Sequence, residues 1–388
     1  MKTEEGKDLQ LDIRLGSSFA QDSIRAVREV AAQIRQADPN AVVIFFCSSR
    51  YDHNLIAEAM REEFSEQTVI GCTSAGELVG EAGYKEGGLV GASLLSPHLI
   101  AHPHLMDNLS DYVADRARNL ADQLCEQLLL ADAYDPKRQF GLLLIDGISL
   151  REEVVAASLY NCLEGVPIFG GSAADELNFE ETLVYYDGEF HSDSAVFTLF
   201  ECDLPFQVFR FQHFEPTDKR LVITEADPAT RIVFEINGLP AAEAFAEAIE
   251  VPIEEFDADV FAANPLMLRV GGEWYVRAVQ SANPDGSLSF WCAIDKGLVL
   301  TVGQGQDLVK NIANSMDTLR STFSDLRFVL GCDCLFRRLE LLQKNRLNDA
   351  STLFKGMPYL GFSTYGEQYN GLHINQTLTG VVIGGNSK

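Results

Sequence analysis

The sequence predicts a mixed α/β (α+β) protein of two domains, in which packed sheets are flanked by helices. The chain has 388 residues, more than one ordinary domain uses. Short apolar runs alternate with segments of helical spacing. A strand-helix-strand-turn-strand unit also occurs twice in the first half and is reused in the second. We predict a lead-in at residues 1–40, a first domain at 41–205 and a second domain at 206–388.

The duplication is visible without gaps when residues 43–77 are placed on 142–176, a shift of 99 residues. Each copy begins with an apolar strand and continues with one face of an amphipathic helix. A second apolar strand then leads into a turn of small residues, 71–77 in the first copy and 170–176 in the second. Such a turn lets the backbone approach another group closely. The alternative interpretation is tight packing of the turn against a helix.

A strand completes each copy, at 88–95 and at 194–200. Asp187-Gly188 precedes the second of these strands and is typical of a hairpin turn.

A third copy ends the chain. Strand 328–330 is followed by a helix at 335–342, a strand at 358–360 and the turn 361–367. This turn matches the first at both glycines and at the final glutamate. We therefore expect Glu77, Glu176 and Glu367 to occupy equivalent positions, where they are structural or line a pocket.

A different pattern separates the second and third copies. It predicts strands at 206–212 and 220–225, then a strand, an Asn-Gly turn and a helix-starting proline within 234–240. A hairpin is predicted around 283–286, and a long amphipathic helix at 307–326.

The composition excludes several classes of function. With 30 Lys and Arg against 57 Asp and Glu, the formal charge is -27, which argues against nucleic-acid binding. The apolar runs are far shorter than the roughly 20 residues of a membrane-spanning helix. We find no apolar signal-peptide region, and the eight Cys lie mostly in apolar segments, as reduced thiols do. We expect a cytoplasmic protein without membrane association.

Catalytic motifs are also absent from the sequence. No turn has the GxSxG arrangement of a nucleophile elbow, no GxxxxGK[ST] phosphate loop occurs, and Gly303-Gln304-Gly305 lacks the third glycine of a dinucleotide fingerprint. We predict that the protein is not an enzyme.

Two groups of residues suggest metal ligation. Cys332 and Cys334 form the one tight thiol pair, and in a strand both would point to the same face. Structural burial is the alternative. His98, His102 and His104 lie around two prolines, and we interpret them as surface histidines on a loop or edge strand.

His373 lies in an alternating strand, 371–380, just after the third turn. Alternation puts His373 and Asn375 on one face, beside Tyr365 and Glu367 of the turn. This row could line a polar pocket, or it could be a structural hydrogen-bonded row. His213, at the end of an aromatic strand, could meet an apolar planar ligand, but such a strand is also typical of plain core.

The three turns, in this order and with the terminal His373 and Asn375-Gln376-Thr377, resemble the FIST sensory domain with its N-terminal and C-terminal parts, over about 41–383. Segments 213–217, 222–227 and 235–242 are similar to the stand-alone NosP group of haem-binding nitric oxide sensors.

This resemblance implies a bacterial sensor that binds haem b and responds to nitric oxide. The implied partner is a histidine kinase or a cyclic-di-GMP enzyme, and homo-oligomerisation stays open. The candidate axial ligands are His213, then His373, then Cys332. The alternative is a sensor without haem that binds a small polar metabolite, such as an amino acid, among Tyr365, Glu367, His373 and Asn375.

Overall fold

The computed structural model of the chain describes residues 10–130 and 135–385. Within them the chain forms three related β/α units and one inserted domain rich in strands, which confirms the predicted mixed α/β class. Residues 1–9 of the predicted lead-in lie outside the described residues. The rest of the lead-in forms a strand and a helix of the first unit.

The first two units share one order of elements: strand, helix, strand, helix, strand, hairpin, strand. The first comprises β1 Asp12–Ser18, α1 Ser23–Ile34, β2 Val42–Ser48, α2 His53–Glu63, β3 Thr68–Ser74, β4 Glu77–Val79, β5 Gly83–Lys85 and β6 Leu89–Leu95. The second comprises β7 Leu99–Met106, α3 Ala114–Leu130, β8 Gln139–Ile145, α4 Glu152–Cys162, β9 Ile168–Ser172, β10 Val184–Tyr186, β11 Glu189–His191 and β12 Ala195–Cys202. The bounds of α2 and α4 differ by the predicted 99 residues, so the duplication is confirmed.

The third unit is interrupted after its first strand, β13 Phe206–Gln212. The inserted domain follows, with β14 Phe214–Asp227, β15 Ile232–Ile236, β16 Leu239–Pro240, α5 Ala241–Ile249, α6 Ala258–Ala263, β17 Leu266–Val270, β18 Glu273–Arg277, β19 Val279–Ala282, β20 Leu288–Phe290 and β21 Val299–Gly305. The unit then resumes with α7 Leu308–Thr322, β22 Leu326–Cys334, α8 Leu335–Gln343, α9 Leu347–Leu353, β23 Tyr359–Thr364, β24 Glu367–Tyr369, β25 Leu372–Ile374 and β26 Thr377–Gly384.

Each unit builds a six-stranded sheet, and in every sheet the last two strands come from another unit. The orders are β1-β6-β2-β3-β10-β11, β7-β12-β8-β9-β24-β25 and β13-β26-β22-β23-β4-β5. The first sheet thus receives the hairpin of the second unit, the second receives that of the third, and the third receives that of the first. This exchange links the three units in a closed cycle.

The three sheets share one core. Apolar side chains from β2, β8 and β22 lie in a single buried cluster, and Phe46 of the first unit stacks on Phe362 of the third with ring centroids 4.1 Å apart. The two helices α1 and α2 cover the outer face of the first sheet, α3 and α4 that of the second, and α7 to α9 that of the third. Burial of an aromatic side chain such as Phe46 or Phe362 contributes about 1.5–3 kcal/mol to the stability of the folded protein.

Aspartates begin several helices, because a carboxylate can accept from the unpaired amide groups of the first turn. Asp22 caps α1, Asp52 caps α2, Asp257 caps α6 and Asp307 caps α7. In the inserted domain, the predicted hairpin around 283–286 joins β19 to β20, and the helix after the Asn-Gly turn begins at Ala241.

Candidate functional site

The three small-residue turns meet where the exchanged hairpins enter the sheets. One equivalent backbone hydrogen bond joins each unit to the next. The three bonds are Thr73 N to Leu183 O at 2.9 Å, Ser172 N to Gly366 O at 2.9 Å and Ser363 N to Gly76 O at 2.7 Å. The carboxyl ends of the parallel strands β3, β9 and β23 therefore lie at this junction, which is where open α/β sheets bind ligands.

The strand pairing identifies three equivalent positions, one for each hairpin. Glu77 lies opposite Phe362, Val184 opposite Cys72, and Glu367 opposite Gly171. Phe362, Cys72 and Gly171 each follow the first glycine of their turn. The second unit therefore has an apolar Val184 where the other two units have a glutamate.

The predicted equivalence of Glu176 is wrong. Glu176 lies in the longer turn of the second unit, residues 173–183, where its φ is +68°. Its carboxylate forms an ion pair with Arg50, with Arg50 Nε 2.7 Å from Glu176 Oε1. The alignment of residues 43–77 with 142–176 has no gaps and ends at Glu176. It therefore could not show that the turn of the second unit continues to residue 183.

Both carboxyl oxygens of Glu77 have donors. Ser74 Oγ donates to Oε1 at 2.8 Å, and Gly88 N donates to Oε2 at 3.1 Å. The side chain is 1% exposed, and burial raises its pKa to about 7. Glu77 is a satisfied structural carboxyl group.

Glu367 is satisfied on one side alone. Its Oε2 accepts from Thr377 N at 3.0 Å and from Thr377 Oγ1 at 2.7 Å. Oε1 has no hydrogen-bond partner among the described residues. The Cys334 thiol interacts with this carboxyl group, but a thiol is a weak donor. Burial raises the pKa of Glu367 well above its usual range.

The difference between the two glutamates comes from the residue three positions before each. Ser74 in the first unit donates to Glu77. Its equivalent in the third unit, Thr364, directs Oγ1 to the carbonyl oxygens of Ser172 at 2.7 Å and Gly366 at 2.8 Å. Glu367 Oε1 is left without the hydroxyl donor that its counterpart has.

Asn375 and Gln376, in the two-residue segment between β25 and β26, have further unpaired polar atoms. Asn375 is fully buried, and neither its Nδ2 nor its Oδ1 has a partner among the described residues. Gln376 donates from Nε2 to Ala262 O of the inserted domain at 2.9 Å, and its Oε1 has no partner within the same residues. Buried polar groups are nearly always hydrogen-bonded, so this concentration is unusual.

The single strand predicted at 371–380 is wrong in the middle. Gln376 has a φ of +54°, and the chain there leaves β25 of the second sheet and enters β26 of the third. After the break, Thr377 N and Oγ1 reach the Glu367 carboxyl group, whereas Asn375 stays beside His373 over Gly366.

His373 lies next to this cluster with its ring fully engaged. Its Nδ1 lies 3.2 Å from Gln368 Nε2, and the ring forms a second hydrogen bond with the Trp291 backbone. Burial lowers its pKa to about 4, so the ring is neutral and Nδ1 accepts from the amide. A Cβ placed on Gly366 would lie 2.2 Å from His373 Cε1 and 3.2 Å from Asn375 Nδ2, so both side chains lie over this glycine.

The inserted domain covers the cluster. Arg277 donates from Nη1 to His373 O at 2.6 Å, and Gln376 is held by Ala262. The ring of Trp291 stacks on Phe179 at 5.1 Å. Sequence reasoning missed Arg277, Trp291 and Gln368, because no motif marks them and the first two come from the insert.

Tyr365 belongs to the edge of the site. Its hydroxyl donates to Asp175, and its ring stacks on Phe179 with centroids 4.7 Å apart. The structure thus brings His373 and Asn375 together over Gly366, places Glu367 in the same hairpin opposite Ile374, and places Tyr365 in the aromatic wall formed with Phe179.

His213 lies apart from this cluster, at the junction of β13 with the inserted domain. Its Nε2 is 2.8 Å from Glu340 Oε2, and its Nδ1 is buried without a partner among the described residues. Burial lowers its pKa, and Glu340 counteracts this in part. A cleft of about 230 Å³ lies nearby, lined by Phe214, Phe336 and Glu340 among others.

Cys332 and Cys334 are both fully buried, and burial raises the pKa of each thiol well above its usual range. Cys332 packs in the central apolar core with Phe362. Within residues 10–130 and 135–385, no three His, Cys, Asp or Glu side chains are grouped so that they could hold a metal ion. The position of Cys332 in the apolar core agrees with structural burial, the alternative to metal ligation.

The residues around His373 do not fit haem, and the cleft near His213 is small for it. A haem iron needs an imidazole nitrogen that faces the cofactor. Both ring nitrogens of His373 are hydrogen-bonded, whereas His213 has Nε2 paired with Glu340 and keeps Nδ1 unpaired among the described residues. The cleft near His213 is also smaller than the roughly 300–1,000 Å³ of typical small-molecule sites.

Comparison with known proteins now defines the class. The family model of the FIST N domain matches residues 41–239, and that of the FIST C domain matches residues 241–370. The chain belongs to the FIST family, and the predicted resemblance is confirmed at this level. It is also similar to a Methanocaldococcus jannaschii protein described as "Uncharacterized protein MJ1623", with 24% identity over 92% of this chain and 76% of the relative.

FIST domains are sensory domains of signal transduction, so the chain has a sensory role, and such sensor domains generally feed into signalling partners. A sensory role is consistent with the prediction that the protein is not an enzyme. Among the helices that the structure describes, none is long and apolar enough to cross a membrane.

Proposed function

We propose that this sensor binds a small polar metabolite in the buried cluster formed by Glu367, His373, Asn375 and Gln376. One observation carries the proposal: Asn375 is fully buried, and both of its amide atoms are unpaired among the described residues, with Nδ2 beside His373 over Gly366. Leaving such a group unsatisfied costs about 1–3 kcal/mol. A ligand that pairs with these atoms removes this cost, so its binding stabilises the folded protein.

A thermal-shift screen against polar metabolites, amino acids included, tests this proposal. A ligand present at 100 times its Kd stabilises the folded protein by about 2.7 kcal/mol. We expect Asn375→Leu to abolish the shift, while the ligand-free variant keeps its stability because an unpaired amide is removed. As a control, Asn283→Leu should destabilise the protein, since Asn283 Nδ2 donates to Ser287 Oγ and Ser289 Oγ. A ligand shift that survives in Asn375→Leu would contradict the proposed site.

The haem b hypothesis is tested by the absorption spectrum of the protein after purification with haem supplied. Haem and nitric oxide binding rest on the resemblance alone. A Soret band that shifts with nitric oxide, and that disappears in His213→Ala or His373→Ala, would support haem in place of the metabolite.

The partner is proposed to be a histidine kinase or a cyclic-di-GMP enzyme. The family assignment supports a signalling partner, and the charge of -27 favours a basic surface on it. Partner activity, measured with and without this protein, is the corresponding assay.

A further inference from the structure

We infer that the second unit carries the docking surface for the signalling partner, and that this surface takes an amphipathic helix with Lys or Arg residues along its edges. The inference rests on the proposal that this sensor acts on a protein partner, and it names where and how that partner binds. It does not depend on which ligand is sensed. Two loops at the carboxyl ends of β8 and β9 carry it, residues 146–151 and 173–183.

Four large apolar side chains lie exposed on these two loops. We call them the apolar patch: Ile148, Leu150, Leu177 and Phe179. Single exposed apolar residues are normal on a soluble protein, whereas a group of them on adjoining loops is typical of an interaction site.

The two loops are in direct contact. Gly147 N donates to Thr182 Oγ1 at 2.9 Å, and a Cβ placed on Gly147 would lie 3.1 Å from Tyr365 Cδ2. The ring of Tyr365 stacks in turn on Phe179. Because Ile148 follows Gly147 directly, the two loops present neighbouring parts of one surface.

The first unit provides an internal comparison. With the offset of 99 residues, Ile148 corresponds to the polar Ser49, and Leu150 corresponds to Tyr51, which is buried. Residues 177–181 have no equivalent, because the turn of the first unit leads directly into β4. The exposed apolar side chains are therefore a property of the second unit and not of the repeated fold.

A buried carboxylate holds the longer loop in a fixed shape. Asp175 Oδ1 accepts from Phe179 N at 2.9 Å, and Oδ2 accepts from Glu180 N at 2.7 Å and from Glu181 N at 3.0 Å. Phe179 has a φ of +54°, which residues other than glycine rarely adopt. A loop that is ordered before binding loses little conformational entropy when a partner binds, so the patch is preorganised.

The backbone of both loops has few groups left for a partner. The N–H groups of residues 179–181 are taken by Asp175, and Ile148 N donates to Asp146 Oδ1 at 3.0 Å. An added strand or a bound anion needs free N–H groups. An amphipathic helix satisfies its own backbone and binds through an apolar face, so it matches a surface that offers side chains.

The charge beside the patch favours a basic partner. Glu180 and Glu181 are both exposed next to it. Of the nearby arginines, Arg50 is already paired with Glu176, and Arg151 donates to a backbone carbonyl group. The total charge of -27 adds to the attraction for Lys and Arg residues and repels anionic lipid.

The patch also adjoins the candidate ligand site. The ring of Phe179 stacks on Trp291 with centroids 5.1 Å apart, and the Trp291 backbone forms a hydrogen bond with the His373 ring. Trp291 therefore lies between the proposed ligand cluster and the proposed docking surface.

The experiment is calorimetric titration of the full chain with a synthetic amphipathic helix of about 18 residues, made of leucine and lysine. A second peptide has glutamate in place of lysine. We expect the lysine peptide alone to bind, and we expect its affinity to fall as salt is added, because salt screens the attraction between charges.

Variants separate the patch from the general charge of the protein. Leu150→Asn combined with Leu177→Ser keeps the net charge, and asparagine tolerates the φ of +58° at residue 150. We expect this double variant to reduce the affinity for the lysine peptide at least tenfold. If it does not fold, Leu177→Ser alone should show the loss.

Ile100→Thr is the matched control and should bind the lysine peptide as the parent does. Ile100 is 51% exposed, compared with 50% for Leu150 and 54% for Leu177. It lies at the other end of the second sheet, opposite Glu201, which also pairs with Gln139 at the start of β8.

The inference is overturned if the lysine peptide binds the parent and the double variant equally, if the glutamate peptide binds in its place, or if neither peptide binds. Vesicles of phosphatidylserine and phosphatidylcholine that bind the parent but not the double variant would replace the helix by a membrane surface and overturn it as well.

These outcomes are distinguishable from failure of the proposed function. If a kinase or cyclic-di-GMP enzyme responds equally to the parent and the double variant, the docking surface is wrong while the partner proposal stands. A failed thermal-shift screen for metabolites leaves the docking surface standing, because the peptide binds without a metabolite.

Discussion

Glu77 and Glu367 occupy equivalent positions in related units, yet their surroundings give them different roles. A single hydroxyl accounts for this, since Ser74 donates to Glu77 whereas the Thr364 hydroxyl lies between the carbonyl oxygens of Ser172 and Gly366 and shares its proton with them. Ser74 and Thr364 are both hydroxyl residues, so the sequence alone does not distinguish them. The direction of the hydroxyl depends on the backbone around it, so no sequence pattern could indicate it.

Glu77 itself yields a prediction about pH. Its pKa is raised by burial from the ordinary value near 4.5 to about 7 in the folded protein. Between these values the folded state binds more protons than the unfolded state, so the free energy of unfolding falls as pH rises. The raised pKa of Glu77 contributes about 3 kcal/mol to the free energy of unfolding at low pH, and this contribution is lost as the pH rises through about 7.

Urea denaturation at pH 5 and pH 8 measures this effect. Glu77→Gln has no titrating group, so we expect it to gain stability relative to the parent protein as the pH rises. Equal pH dependence of the two proteins would show that Glu77 ionises normally.

At the level of elements, the exchanged hairpins hold the units together by specific polar contacts as well as by backbone pairing. Tyr84 lies in β5 of the first unit, and its hydroxyl donates to Asp333 of the third. Asp333 also accepts from Arg337 Nε at 2.6 Å. These groups are buried, so each contact between the units is protected from water.

Tyr84→Phe should lower the free energy of unfolding by about 1–3 kcal/mol, because the buried Asp333 loses a donor. Tyr160→Phe is the control, since Tyr160 is 38% exposed and its change should cost less than about 0.5 kcal/mol. Chemical denaturation measures both. Equal stability of Tyr84→Phe and the parent would mean that this contact does not stabilise the exchanged hairpin.

Across the whole molecule, the cycle of exchanged hairpins makes the three units interdependent, whereas the inserted domain leaves and rejoins the chain at one place. It also contacts the units through Arg231, which pairs with Glu152 and Glu153, and through Arg277. Its first and last strands are paired, with Phe214 opposite Gly305, and Gln306 N donates to His213 O at 2.8 Å. The chain can therefore be closed across this point without removing any strand of the three exchanged sheets. The predicted boundary after residue 205 lies between β12 and β13, within the cycle.

Two shortened chains test this organisation. We expect residues 1–205 alone not to fold cooperatively, because β9 loses its neighbour β24 and the β4–β5 hairpin loses β23. A chain that lacks residues 214–305 should keep cooperative unfolding, with a lower midpoint because the cover of the site is gone. Thermal melts followed by near-ultraviolet circular dichroism distinguish them. A cooperative melt of 1–205 would contradict the interdependence.

Much of the fold follows from the sequence, because it depends on local patterns. Apolar periodicity and turn residues predicted the repeated unit, and the constant offset between α2 and α4 confirms its register. The same turns indicated the family, and the polar residues near His373 indicated the region of the candidate site.

Only the tertiary structure decided which hairpin enters which sheet, and with it the identity of the site. The exchange pairs Val184, Glu77 and Glu367 with strands of other units, and strand pairing over such distances leaves no local pattern. Likewise, whether an atom such as Glu367 Oε1 is left unpaired depends on which donors the folded chain brings near it. Local periodicity determines where strands and helices form, but burial and hydrogen bonding depend on contacts between segments far apart in the chain.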